Sequence, residues 1–368
     1  VAGFRLCVSL LFADILLRDL TPKLFPMSID LPTPGDRPVW DLWLSMYRLP
    51  AVTAAIELDV FEALATSPAS HDELARRLTL SERATEIILP LFASLGLLKR
   101  YDGRYQLSDV ARLYLLRGSP YYWGALLNRM GPSSPHHAAI RQALKGERAS
   151  TTGGQGDRPS DAWAAGHVEI EQARVIAAFM HSHSIAAALG MARNVDFSGV
   201  RRLLDVGGGS GCFCIALAQR IPQLGCTIME LPAMCEVAKE YVSAAGFADR
   251  IETRAVDMFR QEWPRDHDAI FFSNILHDWD FATCAELVAK VHAALPPGGR
   301  VFIHEALLDD SGAGPLTTAT FSLVMLLGTQ GRQFTYAELA KLLGDAGFTD
   351  VSATPSYGYY SVVRATRR

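Results

Sequence analysis

The chain has 368 residues, 49% of them hydrophobic and 20% charged, with a formal net charge of −4. That is enough apolar material for two packed cores and too much for a disordered chain. The acidic balance, with no long basic run, argues against a protein that grips nucleic acid through its phosphates.

Residues 1–26 contain an apolar stretch, Leu6 to Leu17, broken by Asp14 and followed by Arg18 and Asp19. It is too short to span a bilayer and lacks the basic start and small-residue cleavage site of a secretory leader. Met27 opens a more ordinary beginning, so translation is expected to start there rather than at Val1, with 1–38 forming an extension or arm. No later run is apolar for long enough to be transmembrane, and the expected location is cytoplasmic. The cysteines (Cys7, Cys212, Cys214, Cys226, Cys235 and Cys284) form no CxxC pair and fall mostly in apolar segments, as buried reduced thiols do. Cys212 and Cys214 would lie on different faces of a helix, and neither His136-His137 nor His181-x-His183 has a third ligand at suitable spacing. No metal site is expected.

From 39 to 116 the pattern is helical with short breaks. Ala54, Ile56, Leu58, Val60, Phe61 and Leu64 recur at helical spacing. Ser70 followed by Glu73 forms a capping-box start, and Ser81 opens a second helix toward Ile87–Leu97. Asp102-Gly103 sits between alternating residues, as in a tight hairpin. Helix, helix, helix, hairpin is the order of a winged helix. Arg76, Arg77 and Arg83, set beside Glu82 and Glu86, do not make a basic face, so packing or dimerisation is expected rather than DNA binding. Residues 117–199 are less regular. A loop is expected over 146–160, and a helix from Ala162 through Phe179 to about Leu189.

From 200 to 368 short apolar strands alternate with helices: Leu203–Val206, Cys226–Glu230, Ile251–Val256, His267–Phe272 and Gly299–His304 as strands, with helices at Cys212–Arg220, Met234–Ala245, Phe281–Leu295 and Tyr336–Ala346. This alternation predicts a parallel sheet covered by helices. Its first strand runs into Asp205-Val-Gly207-Gly208-Gly209-Ser210-Gly211. Glycines at this position let the backbone approach a ligand. The spacing differs from G-x-G-x-x-G and lacks a P-loop lysine. Glu230 ends the next strand, where a carboxylate can accept from a ribose diol. Asp257-Met258-Phe259 follows the third, where a carboxylate and two apolar side chains suit an adenine ring.

With Glu230-Leu231-Pro232, Asn274-Ile-Leu-His277-Asp278-Trp279 and Leu295-Pro-Pro-Gly-Gly299, these motifs resemble the small-molecule O-methyltransferases of the plant caffeic acid and bacterial hydroxyneurosporene type, over most of the chain from about Asp41. The resemblance implies an α/β fold, a Rossmann-like class I methyltransferase domain carrying an N-terminal winged-helix-like dimerisation domain, and a homodimer. It implies S-adenosylmethionine as cofactor and S-adenosylhomocysteine as product. Asp205, Gly207, Gly208, Gly209, Gly211, Glu230, Leu231, Asp257, Met258, Phe259 and Ser273 are expected to bind it. His277 matches the family's general base, a task suited to a group titrating near neutrality. Glu305 matches one of two acids that orient it. At the other acid's place stands Gln333, a neutral amide that can hydrogen-bond the imidazole but gives its cation no charge. Asn128, Arg129, Met130, Met180, His183, Asp278 and Arg332 are expected at the acceptor, with Arg129 or Arg332 able to grip a carboxylate. The leading expectation is methylation of a hydroxyl on a small metabolite. The alternatives are S-methylation of a small thioether or thiol acid, such as methylthiohydroxybutyrate, and a winged-helix regulator that senses a ligand.

Overall fold

The computed structural model describes residues 29–131, 134–147 and 159–368. The stretch at 6–17, the start expected at Met27 and much of the loop expected over 146–160 lie outside the described residues.

The N-terminal part is helical where the sequence supplies apolar spacing and helix-starting residues. Helices α1 (Arg37–Glu57), α2 (Val60–Thr66), α3 (His71–Leu78) and α4 (Glu82–Ser94) lead into a hairpin of β1 (Leu98–Tyr101) and β2 (Arg104–Leu107). The capping box forms, with the Ser70 N–H donating to Glu73 Oε2 at 3.0 Å. Ser81 Oγ accepts from the Ala84 N–H at 3.3 Å and starts α4. Asp102 and Gly103 both take positive φ, 49° and 75°, which suits a two-residue turn to the twist of the antiparallel pair. The helices α5 (Asp109–Tyr114), α6 (Gly124–Met130), α7 (Pro135–Leu144), α8 (Pro159–Ala165) and α9 (Ile170–Asn194) follow. By length and composition α9 could cross a membrane, but Ala173, Ala177, Ala187, Ala188 and Met191 along it are buried in the fold.

The C-terminal part is a seven-stranded sheet in the order β5-β4-β3-β6-β7-β9-β8. Its strands are β3 (Arg202–Val206), β4 (Gly225–Glu230), β5 (Ile251–Ala255), β6 (Ala269–Ser273), β7 (Arg300–Ala306), β8 (Phe348–Tyr357) and β9 (Tyr360–Arg367). The first five are parallel, and β9 runs antiparallel to both β7 and β8. The crossovers carry α10 (Cys212–Arg220), α11 (Pro232–Ala244), α12 (Phe281–Ala294), α13 (Leu316–Gly328) and α14 (Tyr336–Asp345). Successive strand residues point to opposite faces. Leu204, Val206, Ile270 and Ile303 pack with α12 and α14, whereas Leu203, Phe271 and Phe302 pack with α9, α10 and α11. Strands buried on both sides explain the continuous apolar runs in the sequence.

Helix α13 has no counterpart among the expected elements. It follows β7, yet Ala319, Leu323, Leu326 and Leu327 enter the hydrophobic core of the N-terminal part, beside Phe61, Ile88 and Phe92. Two arginines strengthen this junction. Arg83 Nη2 of α4 donates to the Met325, Thr329 and Gly331 carbonyls at 3.4, 3.0 and 2.8 Å, satisfying the end of α13. Arg332 spans Glu86 of α4 and Glu338 of α14 at 2.9 and 2.7 Å. Arg332→Ala leaves two carboxylates, 36% and 30% exposed, without their shared cation, and is expected to lower unfolding stability by about 1–2 kcal/mol in a urea titration. A loss below about 0.5 kcal/mol would show the clamp to be ornamental.

Candidate active site

The strand order reverses between β3, which pairs with β4 on one side and β6 on the other, and a cleft opens at their carboxyl ends. That is where open α/β sheets bind ligands. The glycine turn forms its floor. Gly207 takes φ +70°, and a Cβ there would lie 2.4 Å from Ile275 Cδ1. Gly209 takes φ +56° with no heavy atom within 4 Å of where its Cβ would stand, so bare backbone faces open space. Gly211, at φ +76°, caps α10 just behind.

Glu230 is tied to this floor. Its Oε1 accepts from the Gly209 N–H at 3.2 Å and its Oε2 from the Leu231 N–H at 2.9 Å. Burial raises its pKa against those two bonds. Burial also pushes Asp205 up to about 7, opposed by the Cys214 thiol, which donates to its Oδ2 at 3.2 Å. Asp257 Oδ1 accepts from the Phe259 and Arg260 N–H groups, and Arg260 Nη1 donates to its Oδ2 at 2.6 Å. Burial alone would raise this carboxyl, but Arg260 and the two backbone bonds hold it below its ordinary value. Arg260 also donates to the Ala164 carbonyl, which brings α8 and Trp163 over the cleft. Ser273, at the end of β6, bonds His304 Nδ1 at 2.9 Å.

The cleft holds about 1020 Å³, its solvent-open part included. An adenosine-bearing cofactor fits the groups present. Glu230 ends β4 and Asp257 follows β5, and Met258, Phe259 and Trp163 give the same cleft an apolar lining. Asn274 leaves Oδ1 buried without a partner among the described residues, a polar group awaiting a donor.

Beside the cleft lies a buried polar triad. His277 sits in a 3₁₀ turn, Leu276–Asp278, immediately after β6. Its Nδ1 lies 2.7 Å from Glu305 Oε2, and the Gln333 amide nitrogen is 3.0 Å from the same Nδ1. Gln333 Oε1 has no partner among the described residues, so the turned-over amide would accept from an Nδ1–H shared with Glu305. All three side chains are essentially inaccessible. Burial disfavours the imidazolium, but the Glu305 carboxylate, with smaller help from Asp278 and Gln333, holds His277 above its ordinary pKa. An Nδ1–H given to Glu305 leaves Nε2 as the basic nitrogen, 3.8 Å from Asp278 Oδ1. Burial drives Asp278 up to about 7, offset by His277. Gly331 fixes the approach of Gln333, since a Cβ there would stand 2.3 Å from the His277 carbonyl.

The expected cofactor residues gather as a group: all of them line the cleft except Gly211, which stands behind it. Met180 and Asp278, expected at the acceptor, line it too. His183 instead joins an aromatic cluster with Trp40, Trp43 and Phe179. Arg129 is exposed on α6 and does not line the cleft, and the side chains of Asn128 and Met130 lie outside the described residues. Arg332 corrects the expectation of a carboxylate grip, because its guanidinium is bound by Glu86 and Glu338. Sequence reasoning missed Trp40, Trp43 and Phe321. Phe321 stands 5.3 Å from the His277 ring and 5.6 Å from Trp40, and brings α1 of the N-terminal part to the catalytic histidine candidate. It also missed His181, whose Nδ1 is 2.9 Å from Ser210 Oγ in the glycine turn.

A mostly parallel sheet with this strand order, a glycine floor and an acid at the next strand end define a Rossmann-like class I methyltransferase domain, joined to a mainly helical N-terminal domain. Residues 139–349 match the O-methyltransferase domain and residues 40–117 the O-methyltransferase dimerisation domain, and the chain belongs to this O-methyltransferase family. It is 37% identical to 3-hydroxy-5-methyl-1-naphthoate 3-O-methyltransferase of Streptomyces sahachiroi, over 84% of this chain and 89% of that one. It is 32% identical to acetylserotonin O-methyltransferase of Bos taurus, over 85% and 92% of the two chains. Among solved structures, an O-methyltransferase family 2 protein from Planctomyces limnophilus DSM 3776 in complex with apigenin aligns with a TM-score of 0.82 at 30% identity, covering 92% of this chain and 98% of that one. The chain is thus an S-adenosylmethionine-dependent methyltransferase.

Proposed function

We propose that this enzyme methylates a hydroxyl on a small, partly apolar aromatic metabolite, with His277 as general base. The observation that carries this reading is the buried His277–Glu305 contact of 2.7 Å beside the cleft. S-adenosylmethionine, when bound, supplies an electrophilic methyl group. Glu230 and Leu231 hold its ribose end, and Asp257, Met258 and Phe259 its adenine end, over the floor from Asp205 to Gly211. His277 Nε2 takes the acceptor's proton, Glu305 stabilises the imidazolium that results, and Gln333 fixes the ring without adding charge. Asp278, between the cleft and His277, orients the acceptor. Alignment of donor and acceptor supplies the rest of the rate.

No observation favours the S-methylation reading. The arginine best placed in sequence to hold a carboxylate beside Gln333 is engaged elsewhere, and Glu305 supplies the charge that Gln333 lacks. Calorimetric titration with S-adenosylmethionine and S-adenosylhomocysteine, followed by mass-shift screening of phenols, alcohols and thioether acids, tests the reading. A methyl-sized gain on a hydroxyl compound is expected. Gain only on a thioether would replace the attacked atom, and failure to bind either cofactor would remove the assignment.

We read the chain as an arm (1–38), a winged-helix-like dimerisation domain (39–116), a helical pocket region (117–199) and the methyltransferase domain (200–368), working as a cytoplasmic homodimer. Val39, Leu42, Met46 and Leu49 support the dimer. They recur along one side of α1 with 68%, 74%, 48% and 38% of their surface exposed, an apolar stripe suited to a second copy. The buried free cysteines among the described residues suit a reducing compartment. Light scattering is expected to give twice the mass of one chain, and a monomer at micromolar concentration would refute the dimer.

A further inference from the structure

A second cavity, of about 790 Å³ with its solvent-open part included, lies where α3, α4 and the hairpin of the N-terminal domain meet α13, α14 and the loop after β7. The hydrogen-bond donors on its wall are largely spent. Arg332 places its five N–H groups on Glu86, Glu338 and the Gln333 carbonyl. The Ala337 N–H, at the start of α14, goes to Asp310 Oδ1 at 3.3 Å. Arg100 lies over the Tyr105 ring and donates to the Ser311 carbonyl at 3.1 Å.

The acceptors are not spent. Arg332 draws only on Glu86 Oε1, which leaves Oε2, and Asp310 keeps Oδ2. Pro90, on the same wall, has no N–H to offer the Glu86 carbonyl. His71 Nδ1 is buried without a partner among the described residues. Tyr105 is only 4% exposed, and its hydroxyl has no hydrogen-bond partner among the described residues. Burial raises its pKa, opposed by Arg100, so the hydroxyl stays protonated and can accept as well as donate. A polar group so placed lacks the partner that buried polar groups ordinarily have. Three carboxylates (Glu86, Glu338 and Asp310) face two guanidinium groups, and Ile87 and Leu308 add apolar wall.

We propose that this cavity binds a small organic cation, a primary ammonium group on a short apolar stem. An ammonium brings three donors, no acceptor and the positive charge that the wall lacks. Ile87 and Leu308 give the stem its contact. The site goes beyond methyl transfer, yet it adjoins the catalytic residues. Arg332 Nη1 and Ser322 Oγ, both on its wall, hold the Gln333 carbonyl and N–H at 3.0 and 3.1 Å, and the Gln333 side chain reaches His277.

The test is a ligand-observed NMR titration of the full-length protein with butylammonium, butyrate and 1-butanol. Saturating S-adenosylhomocysteine is present throughout, so that the cofactor cleft is filled. Butylammonium is expected to bind with a Kd of about 1 mM or tighter, and the other two at least about 10-fold more weakly. Asp310→Asn keeps an acceptor for the Ala337 N–H but loses the charge, and should weaken butylammonium binding about 10-fold. Tyr105→Phe should weaken it about 5-fold. Glu240→Gln, an exposed carboxylate that does not line the cavity, should leave it unchanged. Unaltered urea midpoints confirm that the variants are folded. The proposal is overturned if butylammonium does not bind, if butyrate binds as well, or if the Asp310 and Tyr105 variants bind like the wild type. Equal weakening by Glu240→Gln would mark the binding as general attraction to an acidic protein and overturn it too.

Discussion

His277→Ala is expected to lower kcat for a phenolic acceptor by about 10²- to 10⁴-fold, the usual contribution of a positioned general base. Affinity for S-adenosylmethionine should stay within a few fold, because His277 stands beside the cleft rather than in its lining. The pH profile gives an independent check. The base acts in its neutral form, and Glu305 holds the imidazolium above the ordinary histidine pKa. Wild-type kcat/KM should therefore rise with pH through a value above about 6.5, the free-histidine range, and fall away on the acid side. In His277→Ala that limb should vanish. Glu305→Gln removes the charge but keeps a hydrogen-bond partner, and should move the limb to lower pH. Full turnover by His277→Ala with every acceptor would end the base assignment.

Glu230→Ala should have the largest effect on the cofactor. The carboxylate gathers two backbone N–H groups, from Gly209 and Leu231, that straddle the cleft floor. Its loss releases both and removes the acceptor proposed for the ribose. Hydrogen bonds to a charged group contribute about 1.5–3 kcal/mol each, so a loss near 3 kcal/mol, or ~100-fold in Kd, is expected by calorimetry. Glu230→Gln should fall between, since one oxygen survives. An unchanged Kd in the alanine variant would place the ribose elsewhere.

Much of the catalytic half was legible because its signals are local. Parallel strands buried on both faces read as apolar runs, and the glycine turn, Glu230 and the Asp257 segment each follow one of them within a few residues. The capping box at Ser70 and the hairpin turn at Asp102-Gly103 are local for the same reason. Helix α13 was not legible. Every residue from Thr317 to Leu323 along it is buried, so it shows no polar face and no amphipathic period. Arg332 was misread because its partner Glu86 lies on α4, far away in the chain, and a charge beside Gln333 looks available until that partner is placed. The contacts of Trp40 and Trp43 with Phe321 and His183 also depend on tertiary packing, which no spacing in α1 reveals.

The position of α13 bears on how this enzyme can be cut. A fragment beginning near residue 200 would carry Ala319, Leu323, Leu326 and Leu327 into water, and the remaining N-terminal piece would keep a trough where they had packed. Each piece would lose this shared packing, despite the visible change of sequence character between them. Swapping N-terminal domains between relatives to transfer acceptor preference would therefore have to carry α13 and the Arg83 contacts along, or the chimera would join two surfaces that were never matched.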